Sequence, residues 1–232
     1  MLDSRAVPSR LPHGYTNTTR RIGAGRILKR YEGPGRHERW RRELLCLAAL
    51  GAHLPVPAVL ERDDEEPSLV LTELPGRPGQ ELIDEGHGDE VMARVGQTLR
   101  LVQAIPLTAV PHLDGRGSVL VHGDFGPQNM LFDLDADLPV VGLVDWEFAH
   151  RGDPVEDVAW AEWIVRTHHG AHVDAAEHLL REAPVAAPWP ERHAAMLRRC
   201  AELVAQAAGR GSAAGVELWR RRLTDTEGWR QP

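Results

Sequence analysis

Between Arg36 and Leu50 the apolar residues Trp40, Leu44, Leu47 and Leu50 recur at three- and four-residue spacing, which predicts a helix with one buried face, ended by Gly51. Glu43, three residues after Trp40 and four before Leu47, falls on the inward edge of that face. Ahead of the helix, TTRRI (18–22) and RILKRY (26–31) flank GAG and read as two short strands joined by a glycine turn. After it, LPVPAVLERDDEEPSLVLTELPG (54–76) reads as two more strands around an acidic turn, closed by Pro75 and Gly76. The pattern then becomes helical, with Val91, Val95, Leu99 and Val102 on one face up to Pro106. Two apolar runs interrupt the helices, SVLVHGDFGPQNMLFD (118–133) and LPVVGLVDWEFAHRGDP (138–154), each predicted as a short strand with a polar loop attached. Helical spacing resumes over 155–169, 174–182, 190–208 and 215–223. The expected class is α+β: a small sheet with one helix in residues 1–75 and a larger, mainly helical part in residues 76–232, divided at the Pro75 to Gly79 stretch.

Composition narrows the picture. A chain of 232 residues, 42% hydrophobic and 26% charged, can bury a real core as one domain of two lobes. No apolar run is long enough to cross a bilayer and the first residues lack the apolar stretch of a secretory signal, so a cytoplasmic protein with no membrane partner is expected. Cys46 and Cys200 are far apart and at neither metal nor redox spacing, which predicts two buried thiols rather than a disulfide. The net charge of -7 argues against nucleic acid as partner. Residues 1–110 carry 15 basic and 15 acidic side chains, so the whole acidic excess lies downstream, either as an ordinary solvated surface or as a field that would hold a cationic ligand. Every basic residue but one is arginine. The exception is Lys29, in RILKRY.

The candidate chemistry sits in the two apolar runs. Asp124 and Asn129 share one loop, and Asp145 follows at the end of the next strand, so the spacing predicts a hairpin presenting two oxygen ligands and one further carboxylate at one end. Magnesium takes oxygen ligands and needs only one or two from the protein when substrate phosphates supply the rest, a task suited to Asn129 and Asp145. Asp124, left free of the metal, can accept a proton from a hydroxyl nucleophile.

The motifs H-G-D-x-x-x-x-N (122–129), V-D-W-E (144–147) and G-D-P-x-x-D (152–157), in this order, resemble the aminoglycoside phosphotransferase family of small-molecule kinases, which has the protein-kinase-like bilobal fold. The resemblance implies ATP and Mg2+ as cofactors. It implies Asp124 as catalytic base with His122 and Gly123 shaping its loop, Asn129 and Asp145 as magnesium ligands, and Lys29 on the nucleotide phosphates, paired with Glu43. It further implies the backbone of Thr72 and Leu74 as the adenine-binding hinge, and a polar loop from Gly14 to Asn17 near the phosphates. Arginine would not replace Lys29, because its planar guanidinium puts the charge elsewhere than a compact ammonium does. Few residues separate V-D-W-E from G-D-P, which leaves no room for a long activation segment and favours a small molecule over a protein substrate. The resemblance implies that this molecule bears a hydroxyl and is cationic, as an aminoglycoside is.

Other readings stand beside these. Asp153 and Asp157 fit a turn and a helix start better than a substrate contact. Trp146, Glu147 and Trp160 line an acceptor pocket or belong to the core. His168, His169 and His172 fit a helix end better than a metal site, and Arg220 to Arg222 a solvated face. Two further functions remain in play, a kinase of an endogenous choline-, homoserine- or sugar-like metabolite and a catalytically silent nucleotide-binding protein. A third, a metallohydrolase with His122, Asp124 and Asp145 as ligands, lacks a second histidine-and-carboxylate motif.

Overall fold

The structure, a computed structural model, describes residues 17–134 and 137–231. TTRRI lies within β1 (Asn17–Gly23) and RILKRY forms β2 (Arg26–Tyr31), antiparallel across a turn in which Gly25 takes φ +71°. Side chains alternate across a strand, so Lys29 and Tyr31 are buried together while Arg30 between them is exposed. The predicted helix is α1 (Arg36–Leu50), and it buries Trp40, Leu47, Leu50 and also Cys46; Leu44 packs half-buried at the core margin. Each fully buried apolar side chain contributes about 1.5–3 kcal/mol relative to exposure. Strands β3 (Val59–Asp63) and β4 (Ser68–Thr72) complete a four-stranded antiparallel sheet of order β1-β2-β4-β3, with Leu69, Val70 and Leu71 of β4 buried inside it.

Past β4 the chain leaves this sheet, and β5 (Arg77–Pro78) pairs with Leu131 and Phe132. Helix α2 (Gly79–Asp84) follows, then α3 (Gly88–Gln103), which buries Val91, Val95, Leu99 and Val102 as their spacing predicts. The two apolar runs differ from expectation, because each contains two strands: β6 (Val119–Val121) and β7 (Met130–Phe132) in the first, β8 (Val140–Leu143) and β9 (His150–Gly152) in the second. They pair crosswise, β6 with β9 and β7 with β8. The expected single hairpin is therefore corrected: Asn129 and Asp145 sit at one end of the β7–β8 hairpin, whereas Asp124 lies on the loop that crosses to it from the β6–β9 ribbon. The interruption of each run by a polar loop lets its two halves join different ribbons.

Four helices close the fold: α4 (Val155–His168), α5 (Ala176–Glu182), α6 (Trp189–Gly209) and α7 (Ala213–Glu227). The start of α5 falls two residues later than predicted because residues 170–175 coil into a 3-10 turn. Helix α7 starts two residues earlier, where Ser212 Oγ accepts the Gly215 amide as an N-cap. Trp160, Trp163 and Ile164 of α4 pack on Ala195, Met196 and Cys200 of α6 in a second core cluster. Both cysteines are buried free thiols. No helix among the described residues is long and apolar enough to cross a membrane.

Candidate active site

Strand alternation and helix periodicity converge on one buried ion cluster. Lys29 points from β2 towards α1, where helical spacing has put Glu43 beside Trp40 and Leu47. Lys29 Nζ donates to Glu43 Oε2 at 2.5 Å and to Asp145 Oδ1 at 2.7 Å, and the Tyr31 hydroxyl donates to the same Glu43 oxygen at 2.6 Å. Lys29 and Glu43 are only 6% and 1% exposed. Burial alone would lower the lysine pKa, but the carboxylates of Asp145, Glu43 and Glu147 outweigh it and hold the ammonium protonated. Glu43 is pushed up to about 7 by burial, opposed by Lys29 and reinforced by Asp145 and Glu147. The carboxylate oxygens of Glu43, Asp145 and Glu147 lie within 4.8 Å of one another. Lys29 supplies a cation to this cluster from within the protein.

Asp124 is held from several directions. Its Oδ1 accepts from Trp160 Nε1 at 2.8 Å, its Oδ2 from Asn129 Nδ2 at 2.9 Å, and its carbonyl from the same Asn129 amide at 2.8 Å. His122 Nδ1 accepts the Asp124 backbone amide at 3.3 Å, while Nε2 lies 3.0 Å from the Val144 carbonyl, which assigns the proton to Nε2. Burial lowers the His122 pKa to about 3, with the nearby Lys29 charge adding to the effect, so the ring is neutral. Both nitrogens are engaged, and Trp146 packs 4.5 Å from the ring, so His122 has no lone pair for a metal and the metallohydrolase reading fails on geometry. Burial, then the Asp145 charge, raise the Asp124 pKa to about 6.

Asp157 stands in the first turn of α4, as expected, and from there it also reaches the loop before Asp124. Its carboxylate accepts the backbone amides of His122 at 2.7 Å and Gly123 at 3.0 Å, and burial raises its pKa to about 6 against those two bonds. Replacing it with alanine strands two buried amides, so Asp157→Ala is expected to destabilise the fold by about 3 kcal/mol or more in urea denaturation. Asp153 behaves as the sequence predicts, with Oδ1 accepting the Val155 amide at the turn into α4.

Asn129 and Asp145 are brought together by the hairpin: the Asn129 carbonyl accepts the Val144 amide at 3.0 Å, one residue before Asp145. Asp145 takes the left-handed conformation, φ 71° and ψ 56°, a strain of about 1 kcal/mol. With Asn129 Nδ2 held by Asp124, the amide presents its oxygen, and Asp145 presents a carboxylate that is 26% exposed. One carboxylate and one amide oxygen form a hard, incomplete donor set, which fits magnesium shared with substrate phosphates. Both residues line a cavity of about 610 Å³ together with Asn17, Lys29, Asp124 and Trp160. Ile27, Leu71, Leu74 and Leu131 give the cavity an apolar slot between the sheet and the hairpin. The Thr72 amide is already bonded to the Ala58 carbonyl, so of the two expected hinge residues Leu74, past the end of β4, has its backbone outside the ladder.

The remaining expected residues separate. Asn17 donates to Glu147 Oε2 at 2.7 Å, and residues 14–16 of its loop lie outside the described residues. Glu147 is buried and also receives Arg39 Nε at 3.1 Å. Trp146 is core; Trp160 is both nearly buried and a wall of the cavity. His169 pairs with Asp84 at 2.8 Å, and none of the three histidines belongs to a metal-like cluster among the described residues. Arg222, expected as solvated, lies over the rings of Trp163 and Trp219 and lines the cavity. Arg199 and Tyr31 were not singled out by the sequence; the Tyr31 contact follows the alternation of β2, but nothing local marks Arg199.

Three comparisons bear on this site. The model of the phosphotransferase enzyme family matches residues 8–118 and 108–189. Viomycin phosphotransferase of Streptomyces vinaceus is 33% identical over 100 residues, which are 42% of this chain and only about a third (34%) of that protein's length. The GDP complex of an aminoglycoside 2'-phosphotransferase-IIIa superimposes with a TM-score of 0.75 at 12% identity, covering 95% of this chain and 92% of that one. A thermostable mutant of the aminoglycoside phosphotransferase APH(4)-Ia, in ternary complex with ADP and hygromycin B, gives a TM-score of 0.70 at 18% identity over 97% and 95%. These two likenesses establish the protein-kinase-like fold shared with aminoglycoside phosphotransferases, and the family model covers most of the sequence. The chain belongs to the phosphotransferase enzyme family.

Proposed function

We propose that this protein is an ATP- and magnesium-dependent phosphotransferase that moves the γ-phosphate to a hydroxyl of a small molecule. The observation that carries this reading is one cavity lined at once by a hydrogen-bonded carboxylate, Asp124, a buried ammonium, Lys29, and the hard ligands Asn129 and Asp145, next to an apolar slot of nucleobase character. Residues 1–75 and 76–232 would form the two lobes around it. Each carboxylate oxygen of Asp124 accepts one described bond and keeps capacity for a second, so the group can orient an acceptor hydroxyl and take its proton. Lys29, held by Glu43 and Asp145, presents fixed positive charge to the phosphates without reorganising during transfer. Bound magnesium, held by Asn129 and Asp145, would supply neutralisation of the phosphate charge. Because Asp124 must be ionised to accept a proton and its pKa is raised to about 6, kcat/KM for ATP should fall as the pH drops through about 6 and level off above it. A pH–rate profile checks this.

The relatives support antibiotics as acceptors: one is a viomycin phosphotransferase, and structurally similar phosphotransferases form complexes with kanamycin, gentamicin and hygromycin B. One observation favours a second reading of the acceptor. The cavity wall built from α4, α6 with the Arg210 that follows it, and α7 contributes Arg199, Arg210 and Arg222 with Trp160, Trp163 and Trp219, and no carboxylate among the described residues. A polycation would find no counter-charge on this wall, which suits a metabolite with an anionic or flat apolar part. Incubation with ATP and magnesium against a panel of the four named antibiotics, choline, homoserine, simple sugars and hydroxy acids, with mass detection of phosphorylated product, separates the two. Binding of ATP without turnover on the whole panel or on water would instead support a silent nucleotide-binding protein.

A further inference from the structure

The loop carrying Asp124 is held from both sides, and one support comes from far outside the sequence motifs. Asp157 takes the amides of His122 and Gly123, and His122 takes the amide of Asp124. The Gly123 carbonyl is taken by Arg199 of α6, whose guanidinium donates to it at 2.9 Å across 76 positions of sequence. The same guanidinium lies 5.6 Å from the ring centre of Phe148 and 5.7 Å from that of Trp160. Trp160 in turn donates to Asp124 Oδ1 at 2.8 Å. Arg199 thus touches two supports of the same carboxylate: the peptide that leads into Asp124 and the indole bonded to its oxygen.

Position 123 cannot provide this contact itself. Gly123 has φ +83°, and a Cβ there would stand 2.4 Å from the Phe148 carbonyl oxygen. The protein-kinase pattern has an arginine immediately before the catalytic aspartate; here no side chain fits, and a guanidinium reaches the loop from α6 instead. The ion pair of Arg199 with Glu202, at 3.2 Å and with Glu202 60% exposed, adds little to holding it. Its Nε is buried with no hydrogen-bond partner, so the side chain is fixed by the carbonyl and the two rings rather than by a buried carboxylate.

We infer that Arg199 is a positioning residue for phosphoryl transfer, clamping the Gly123–Asp124 peptide and wedging Trp160 so that the Asp124 carboxylate is presented in one orientation. The inference rests on the reading of Asp124 as the base. Because α6 also lines the cavity through Leu203 and Gln206, the clamp ties the base to the acceptor wall.

The test pairs Arg199→Met, which keeps an apolar stem between the rings, with Arg199→Lys, which keeps the charge. One measurement needs no turnover: the indole N–H resonance of Trp160 in nitrogen-15-labelled protein, identified by its loss in Trp160→Phe. It should shift and exchange faster with solvent in Arg199→Met, with Arg199→Lys between. The second is kcat for ADP release from ATP and magnesium, with water and with the best acceptor of the panel. Arg199→Met should lose about 10- to 100-fold, the effect of a slight misplacement of a catalytic group, while ATP affinity by titration stays within about twofold. Guanidinium added to the medium should restore part of the loss. An unchanged kcat overturns the proposal whatever the indole does, and so does a loss matched by equal losses of ATP affinity and Tm with no guanidinium rescue. If the wild-type protein turns over neither acceptor nor water, the phosphotransfer reading fails separately, and an unmoved Trp160 resonance would then overturn the clamp on its own.

Discussion

Asp124→Asn should lower kcat by about 10²- to 10⁴-fold, the usual contribution of a general base, with ATP affinity little changed. The substitution keeps shape and the bond from Trp160 Nε1 if the new amide turns its oxygen towards the indole. Its NH2 then faces Asn129 Nδ2, a donor against a donor, because Asn129 donates to the second oxygen in the native site. Asn129 can relieve this only by flipping, which turns its own oxygen towards residue 124. The magnesium concentration for half-maximal activity should therefore rise as well, by a few fold if Asn129 is a ligand. Coupled measurement of ADP release at varied magnesium, with circular dichroism as a control for folding, reads both effects. Wild-type turnover in this variant would remove Asp124 from the role of base.

Lys29→Arg is expected to reduce phosphoryl transfer on the order of 10²-fold while retaining the fold. The ammonium bridges Glu43 at 2.5 Å and Asp145 at 2.7 Å in a site that leaves it 6% exposed. A planar guanidinium that spreads its charge and donors over three nitrogens cannot occupy the same point between two carboxylates, so Asp145 would be displaced from its left-handed position at the hairpin end. Full activity in Lys29→Arg would mean that the only lysine of the chain is there by chance. Lys29→Met separates charge from geometry. It leaves Glu43, Asp145 and Glu147 facing one another, a loss of about 3–5 kcal/mol when one partner of a buried pair is removed. Glu43 can relieve the repulsion by binding a proton. Its pKa, pushed up to about 7 in the folded protein against 4.5 for the free group, means that the folded state holds that proton more tightly than the unfolded chain. The relief is thus fully present below about 4.5 and is lost as the pH rises through 7 or somewhat above. Urea midpoints of Lys29→Met should lie close to wild type at pH 5 and well below it at pH 8.

Much of this architecture was legible in the chain because it depends on short-range periodicity. Helical spacing alone placed Glu43 on the buried edge of α1, and α1 spans Arg36–Leu50 as predicted. The apolar faces of α3 and the antiparallel pair around the acidic turn also follow from local pattern. The two apolar runs depart from their local pattern for a physical reason. A three-residue strand carries too few side chains to show which neighbour it will pair with, so β6 with β9 and β7 with β8 could not be told from one hairpin. Asp157 is legible as a helix-start residue because its position in the first turn of α4 is a local fact, whereas its bonds to the amides of His122 and Gly123 join segments more than 30 positions apart and leave no local mark.

The sequence by itself determined which chemical groups are present and in what order: a single lysine, a helix-borne glutamate, and three motifs whose spacing identifies the family. Such properties are carried by covalent neighbours and survive in a linear string. Tertiary structure alone decided how those groups are poised. It made Glu147 a buried partner of Asn17 and Arg39, fixed His122 as a neutral ring, set the Asp124 pKa through burial and the Asp145 charge, and brought Arg199 and Trp160 onto the Gly123–Asp124 loop. Burial and through-space charge depend on residues distant in sequence, and they exist only once the helices have packed against the loop.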